Sequence, residues 1–158
     1  MELGEPRFFD HSDKDMKRLI KYQGDRVCRQ RIYNSVLLDS LSFFRAGYAF
    51  VLPKARIGQS TRRIEDRFVL YGFVLLQVVG GYDLHVNLIC VDESYRGAGN
   101  ILMDKVFEYA VEHELTRVTL HSLPDERLVL WYKSLGFLIS ESLYKDGELK
   151  VHYMTRSV

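Results

Sequence analysis

The sequence predicts one mixed α/β (α+β) domain over residues 1–158, with about six to seven strands and about four helices. Three observations support that class. Several segments alternate with a two-residue period and are rich in β-branched and aromatic residues, the pattern of half-buried strands. Others repeat apolar residues every three and four positions, the pattern of amphipathic helices. The two kinds interleave along the chain, as in a sheet with helices packed against it. A chain of this length can bury about two-thirds of its surface in a single core.

A short first strand is expected near Arg7 to Phe9, then helices over Ser12 to Tyr22 and Asp25 to Phe44. Gly47 to Leu52, Phe68 to Val79 and Leu84 to Val91 read as strands. The last two are joined by Gly80-Gly81-Tyr82-Asp83, a hairpin signal. A helix over Asn100 to Glu114 puts Leu102, Met103, Val106, Phe107 and Ala110 on one face. Arg117 to Leu123 is a short strand. Pro124-Asp125 then opens a helix to Leu135, with Gly136 as its C-cap. Phe137 to Tyr144 and Glu148 to Thr155 flank Lys145-Asp146-Gly147, a second hairpin signal.

Composition narrows the function classes. Lysine plus arginine (22) nearly balances aspartate plus glutamate (21), so no global field drives nonspecific binding to nucleic acid or membranes. The longest apolar run, Phe73 to Val79, is too short for a membrane span. The start, MELGEPRFFDHSDKD, is acidic and broken by Pro6, which does not fit a signal or transit sequence. Cys28 and Cys90 lie in helical or apolar patterns without metal-ligand spacing. They are expected to be reduced core residues of an intracellular protein, with no disulfide. Pro53 to Arg67 is a basic segment, read as a solvated loop, with contact to a phosphate or an acidic partner as the alternative. Nucleic-acid binding through Lys54, Arg56, Arg62, Arg63 and Arg67 is the weakest option, because no aromatic residues interleave them.

The segment richest in chemistry is Val91 to Met103, VDESYRGAGNILM. An apolar run ends there in a glycine-rich turn that opens into an amphipathic helix. Gly97 and Gly99 allow positive φ and close approach of the backbone to a ligand. The free N–H groups and positive dipole end of the following helix suit a phosphate or pyrophosphate. Arg96 can add a charge-assisted hydrogen bond. A tight strand-to-helix turn would also use glycine, so this reading needs support from elsewhere in the chain.

That support is a second motif. VDESYRGAGNILM is similar to the CoA pyrophosphate loop of the GNAT superfamily of acyl-CoA-dependent N-acyltransferases, and LVLWYKSLGF, Leu128 to Phe137, to the family's helix ending in Tyr, three residues, Gly-Phe. The order of elements resembles the family over nearly the whole chain. The glycine register is most like the histone-acetyltransferase branch, with the loop's leading donor position falling on Ser94. An alternative register starting at Arg96 and Gly99 places Ile101 where glycine or alanine is expected.

The resemblance implies a mixed, mostly antiparallel central sheet and acetyl-CoA as co-substrate, with no metal. Cofactor contacts are implied at Ile89, Cys90, Val91, Ser94, Tyr95, Arg96, Gly97, Ala98, Gly99, Asn100, Asp125 and Tyr132. The backbone of Ile89 to Val91 is implied to hold the pantetheine arm and polarise the thioester oxygen. Tyr132 is implied as the acid that protonates the leaving thiolate. An ordinary phenol near pKa 10 is nearly matched to a thiol near 8.5. His85 falls where the histone-acetylating relatives keep a glutamate and is the first candidate base, with His121 second and Tyr48 and Glu141 behind.

The function implied is an N-acetyltransferase acting by direct attack of an amine on the thioester. The acceptor is a protein lysine or N-terminus, a polyamine or a small amine. Ser94, Asp125 and Leu128 depart from the family pattern and keep open the alternative of a non-catalytic acyl-CoA-binding or protein-interaction module. A homodimer is left open, a membrane partner is not expected, and the expected location is cytoplasmic, with the nucleus not excluded.

Overall fold

The computed structural model describes residues 3–29, 34–55 and 62–158. In chain order the elements are β1 (Arg7–Asp10), α1 (Lys14–Val27), α2 (Asn34–Phe43), β2 (Ala46–Pro53), α3 (Ile64–Arg67), β3 (Phe68–Val79), β4 (Asp83–Val91), α4 (Ala98–Glu112), β5 (Arg117–Ser122), α5 (Glu126–Ser134), β6 (Leu138–Lys145) and β7 (Glu148–Ser157). The strands form a seven-stranded sheet in the order β1-β2-β3-β4-β5-β7-β6. The β4–β5 pair is parallel, while β1–β2, β2–β3, β5–β7 and β7–β6 are antiparallel. The chain divides into two compact units, Met1–Gln77 with Leu88–Val106, and Val78–Asn87 with Phe107–Val158.

In the first unit, α1 starts where the Asp13 side chain accepts the Met16 N–H at 2.9 Å, an N-cap that satisfies one orphan donor. Its buried residues Met16, Leu19, Ile20, Gly24 and Val27 recur at three and four, so one stripe faces the core. The helix runs through Gly24, which corrects the break expected after Tyr22. A β-carbon at Gly24 would stand 3.2 Å from a Leu37 methyl group, so this glycine lets α2 approach closely. Residues 30–33 of the second expected helix lie outside the described residues, and α2 begins at Asn34. Phe9, Leu19, Ile20, Leu37, Leu70, Phe73 and Leu75 lie at the centre of this unit's core, each at most 2% exposed. Each such side chain contributes roughly 1.5–3 kcal/mol of burial.

Cys28 and Cys90 belong to the same core and are bonded to each other, with their Cα atoms 4.9 Å apart. This corrects the expectation of two reduced cysteines. They are 62 residues apart in sequence, Cys28 at the C-cap of α1 and Cys90 near the end of β4. Residues 56–61 of the basic segment, Arg56 among them, lie outside the described residues. Beyond them the segment forms the single turn α3, whose Glu65 takes the Arg18 guanidinium in a bidentate pair at 2.7–3.0 Å.

In the second unit, Asp83–Val86 of β4 runs parallel to Arg117–Leu120 of β5, with the Arg117–Asp83 ion pair at 2.7 Å. β6 and β7 join through Asp146 and Gly147, at φ +54° and +78°, the left-handed pair that a two-residue hairpin of this twist needs. The start of α5 is capped by Asp125, whose carboxylate accepts the Leu128 N–H at 3.1 Å. Its end is a Schellman motif. Gly136, at φ +95°, donates its N–H to the Lys133 carbonyl at 3.0 Å, and the Phe137 N–H reaches the Tyr132 carbonyl at 3.1 Å.

Candidate active site

The turn after β4 is organised by one carboxylate. Asp92 anchors its own N–H on the Tyr71 carbonyl at 2.8 Å, and its Oδ1 accepts the Ser94 N–H at 3.0 Å. Its carbonyl accepts the Tyr95 N–H at 3.1 Å, closing a turn. The Ser94 N–H, with help from the Ser94 hydroxyl and the nearby Arg26 and Arg29 guanidinium groups, holds the Asp92 carboxyl below its ordinary pKa. Ser94, expected as the leading cofactor donor, therefore directs both its N–H and its hydroxyl to Asp92. The Tyr95 ring packs edge to face on Tyr71, with centroids 5.1 Å apart.

Gly97 follows at φ +80°, and a β-carbon placed there would meet nothing within 4 Å. Helix α4 begins at the next residue, with Ile101 donating its N–H to the Gly97 carbonyl at 3.1 Å. Gly97 alone of the two loop glycines takes positive φ; Gly99 is already helical, which corrects the expectation that both would turn. The Ala98 N–H goes to the Tyr95 carbonyl at 3.4 Å, and the first α4 turn carries the positive end of the helix dipole. Beside the turn lies a cavity of about 420 Å³ lined by Leu3, Gly4, Phe50, Ser94, Tyr95, Arg96, Ala98 and Ile101. Ile89, Cys90 and Val91 are the last three residues of β4, leading into this turn.

The second unit carries the proton-handling candidates. Tyr132 is 5% exposed, its ring 4.9 Å from Trp131 and 5.9 Å from Phe137 between centroids. Burial pushes its hydroxyl up to about 12. The near match to a thiol expected from ordinary values is therefore absent: the gap to a thiol near 8.5 widens to about 3.5 pH units.

His85, on β4, places Nδ1 2.7 Å from the Thr119 hydroxyl, its register partner on β5. Its ring lies 5.1 Å from His121, which in turn lies 5.3 Å from Tyr153. Burial first, and then the neighbouring His121, lowers the His85 pKa to about 4. The first two candidate bases thus lie side by side. Glu141 pairs in register with Tyr153 across β6 and β7. Asp125 serves as the α5 cap, so its carboxylate is committed to the helix. Tyr48 lies in the first unit, 8% exposed, on β2.

The model of the acetyltransferase (GNAT) family matches residues 56–137, just over half of the 158-residue chain. The chain belongs to the GNAT acetyltransferase family. Solved structures agree on the fold. Ard1 from Thermoplasma volcanium matches at a TM-score of 0.66 with 21% identity, covering 97% of each chain. An aminoglycoside 6'-N-acetyltransferase complexed with coenzyme A also gives 0.66, with 13% identity and 96% of each chain covered. A GNAT family acetyltransferase from Elizabethkingia anophelis with acetyl-CoA bound gives 0.62, at 12% identity over 98% of this chain and 99% of the other.

Sequence reasoning missed several residues of this GNAT acetyltransferase. Thr119 carries no signal of its own, because its role depends on the parallel register that sets it opposite His85. Tyr153 and Tyr71 read only as strand aromatics. Asp92 was accessible in principle: Asp two residues before Ser is an Asx-turn signal.

Proposed function

We propose that this GNAT acetyltransferase moves an acetyl group from acetyl-CoA to a primary amine by direct attack in a ternary complex. The supporting observation is Gly97, a left-handed glycine with open space at its β-carbon position, set between β4 and the first turn of α4. That is the cradle a pyrophosphate requires. Acetyl-CoA supplies the acetyl group as a thioester. The Gly97 turn and the α4 N-terminus hold the phosphates, with Arg96 adding a charge-assisted donor. The backbone of Ile89, Cys90 and Val91 orients the thioester arm and donates to its oxygen as charge builds there.

In this reading Tyr132 is a fixed proton donor to the departing sulfur. At pKa about 12 it stays protonated throughout the neutral range. Full transfer to a thiolate near 8.5 is uphill by about 5 kcal/mol, so Tyr132 acts first as a hydrogen-bond donor while charge accumulates. His85 takes the acceptor's proton. In the tautomer whose Nδ1–H donates to Thr119 the other ring nitrogen is the acceptor, and a pKa of about 4 keeps the imidazole neutral at pH 7. Freeing an alkylamine of pKa near 10.4 costs roughly 4–5 kcal/mol at neutral pH. His85 therefore accepts the proton as the nitrogen begins to bond carbon and becomes acidic.

The acceptor is a peptide amine, a polyamine or a small amine. An aminoglycoside joins the panel because an aminoglycoside 6'-N-acetyltransferase is among the similar structures. A second reading, a non-catalytic acyl-CoA-binding module, draws on the commitment of Ser94 to Asp92 and of Asp125 to the α5 cap. Calorimetric titration with acetyl-CoA, followed by thiol release across an N-terminal peptide, a lysine peptide, a polyamine and an aminoglycoside, separates the two. Binding with release on one acceptor supports transfer. Binding without release on any supports the module, and no binding overturns both.

A further inference from the structure

The carboxyl end of α1 is tied to the segment that leads into the Gly97 turn by three links, one of them covalent. Cys28, the α1 C-cap, is bonded to Cys90 on β4. Arg26 lies 3.6 Å from Asp92, and Arg29 pairs with Glu93. Arg26 also donates to the Leu70 carbonyl at 2.6 Å, which holds the same helix end to β3. Both sulfurs are buried in the core, whereas both ion pairs are solvent-exposed on the arginine side. Exposed pairs of that kind contribute little, so the disulfide is the strong member of the set.

We propose that Cys28–Cys90 is a reversible redox modification site that controls acetyl-CoA affinity by fixing or releasing the approach to the Gly97 turn. The proposal rests on the reading of that turn as the acyl-CoA cradle. Oxidised, the bond fixes Cys90 two residues before Asp92, the carboxylate that folds the turn through Ser94 and Tyr95. Reduced, β4 keeps its place in the sheet, but the approach to the turn beyond it is tied to α1 by the two exposed ion pairs alone, and its binding-competent form is a smaller fraction of the population. Apparent affinity falls by that fraction.

The reductant is a dithiol. Its thiolate attacks Cys28 Sγ at the C-cap of α1, reached when the helix end opens locally. The S–S bond breaks and its electron pair leaves on Cys90 sulfur, which takes a proton. The reductant's second thiol then displaces Cys28 as a free thiol and closes the reagent into a cyclic disulfide. Two electrons and two protons pass from the dithiol to the protein.

The test uses the full chain, air-oxidised or treated with dithiothreitol, and the Cys28→Ser variant. It measures backbone hydrogen exchange over residues 91–98 and acetyl-CoA affinity by calorimetry. Expected are faster exchange and at least about a threefold weaker Kd on reduction, reversal on re-oxidation, and reduced-like values in Cys28→Ser that dithiothreitol leaves unchanged. Identical exchange and Kd in both states would overturn the redox site. So would two free thiols in the air-oxidised protein by mass spectrometry. Faster exchange on reduction with no acetyl-CoA binding in either state would instead overturn the acyl-CoA reading, and with it control of affinity.

Discussion

Tyr132 and Phe137 are joined twice: the Phe137 N–H donates to the Tyr132 carbonyl at 3.1 Å, and their rings meet edge to face with centroids 5.9 Å apart. The pair closes the Schellman motif of α5 and, in the same contact, fixes the ring of the candidate acid. The Tyr, three residues, Gly-Phe pattern thus has a mechanical reason. Gly136 supplies the left-handed step, and Phe137 folds back over the residue three positions inside the helix end. Removing only the hydroxyl leaves this arrangement whole. Tyr132→Phe is expected to lower kcat about 100-fold while acetyl-CoA Kd changes less than threefold, at unchanged folding stability. Steady-state thiol release with parallel calorimetry checks it. An unchanged kcat would reduce Tyr132 to a packing residue.

Gly136→Ala attacks the same motif from the backbone. The position needs φ +95°, and an added β-carbon would stand 3.2 Å from Arg156 Nε, whose guanidinium lies 3.8 Å from the Phe107 ring centroid. The substitution therefore combines strain at a glycine-favouring φ with displacement of a cation–π contact. A loss of about 1–3 kcal/mol is expected, or several degrees in Tm for a chain of this size. Chemical denaturation measures it.

His85 makes stability depend on pH in a window set by its shift. Its pKa is about 4 in the folded protein. In the unfolded chain it is near 6.5. Between those values the unfolded state binds the proton and the folded state does not, so the contribution is complete above pH about 6.5 and declines as pH falls toward 4. The neighbouring charges oppose each other: His121 adds to the lowering and Asp83 raises it. From pH 7.5 to pH 5 the wild type is expected to lose about 2 kcal/mol that His85→Asn does not lose. Parallel urea titrations at the two pH values would show equal losses if His85 were not the group responsible.

How much of this was readable beforehand depended on the range of the interaction that fixed each feature. β3 has the expected bounds, Phe68–Val79, because alternation and a glycine pair are local signals that nothing distant overrides. The α5 cap and C-terminal glycine were readable for the same reason. Gly24 misled, since the packing of Leu37 against it lies ten or more residues away and turns a usual helix-breaker into a close-approach residue. The Cys28–Cys90 bond and the His85–Thr119 hydrogen bond depend on which segments the fold brings together, and neither the spacing of the cysteines nor the type of residue 119 encodes that. In the candidate site, the glycine turn was legible as a motif. The engagement of Ser94 by Asp92 had only a local Asx-turn signal in the sequence, and the turn's geometry shows that it takes up the Ser94 N–H.

In the proposed function Gly97 is where the motif meets the phosphates, and Gly97→Ala tests that role directly. The space at its β-carbon position is empty within 4 Å, so a methyl group meets no protein atom and the folding cost is that of an unfavourable φ alone, about 1–2 kcal/mol. If the turn serves only to connect β4 to α4, that cost is the whole effect and acetyl-CoA affinity is unchanged. If the turn is the pyrophosphate cradle, the methyl group occupies space that the phosphates need beside the α4 N-terminus. Kd is then expected to rise tenfold or more, with Arg96→Ala giving a smaller, salt-sensitive loss, because Arg96 adds charge without shaping the cradle. Calorimetry on both variants at two salt concentrations distinguishes the cases. An affinity that follows stability and ignores salt would return Gly97 to a purely structural role.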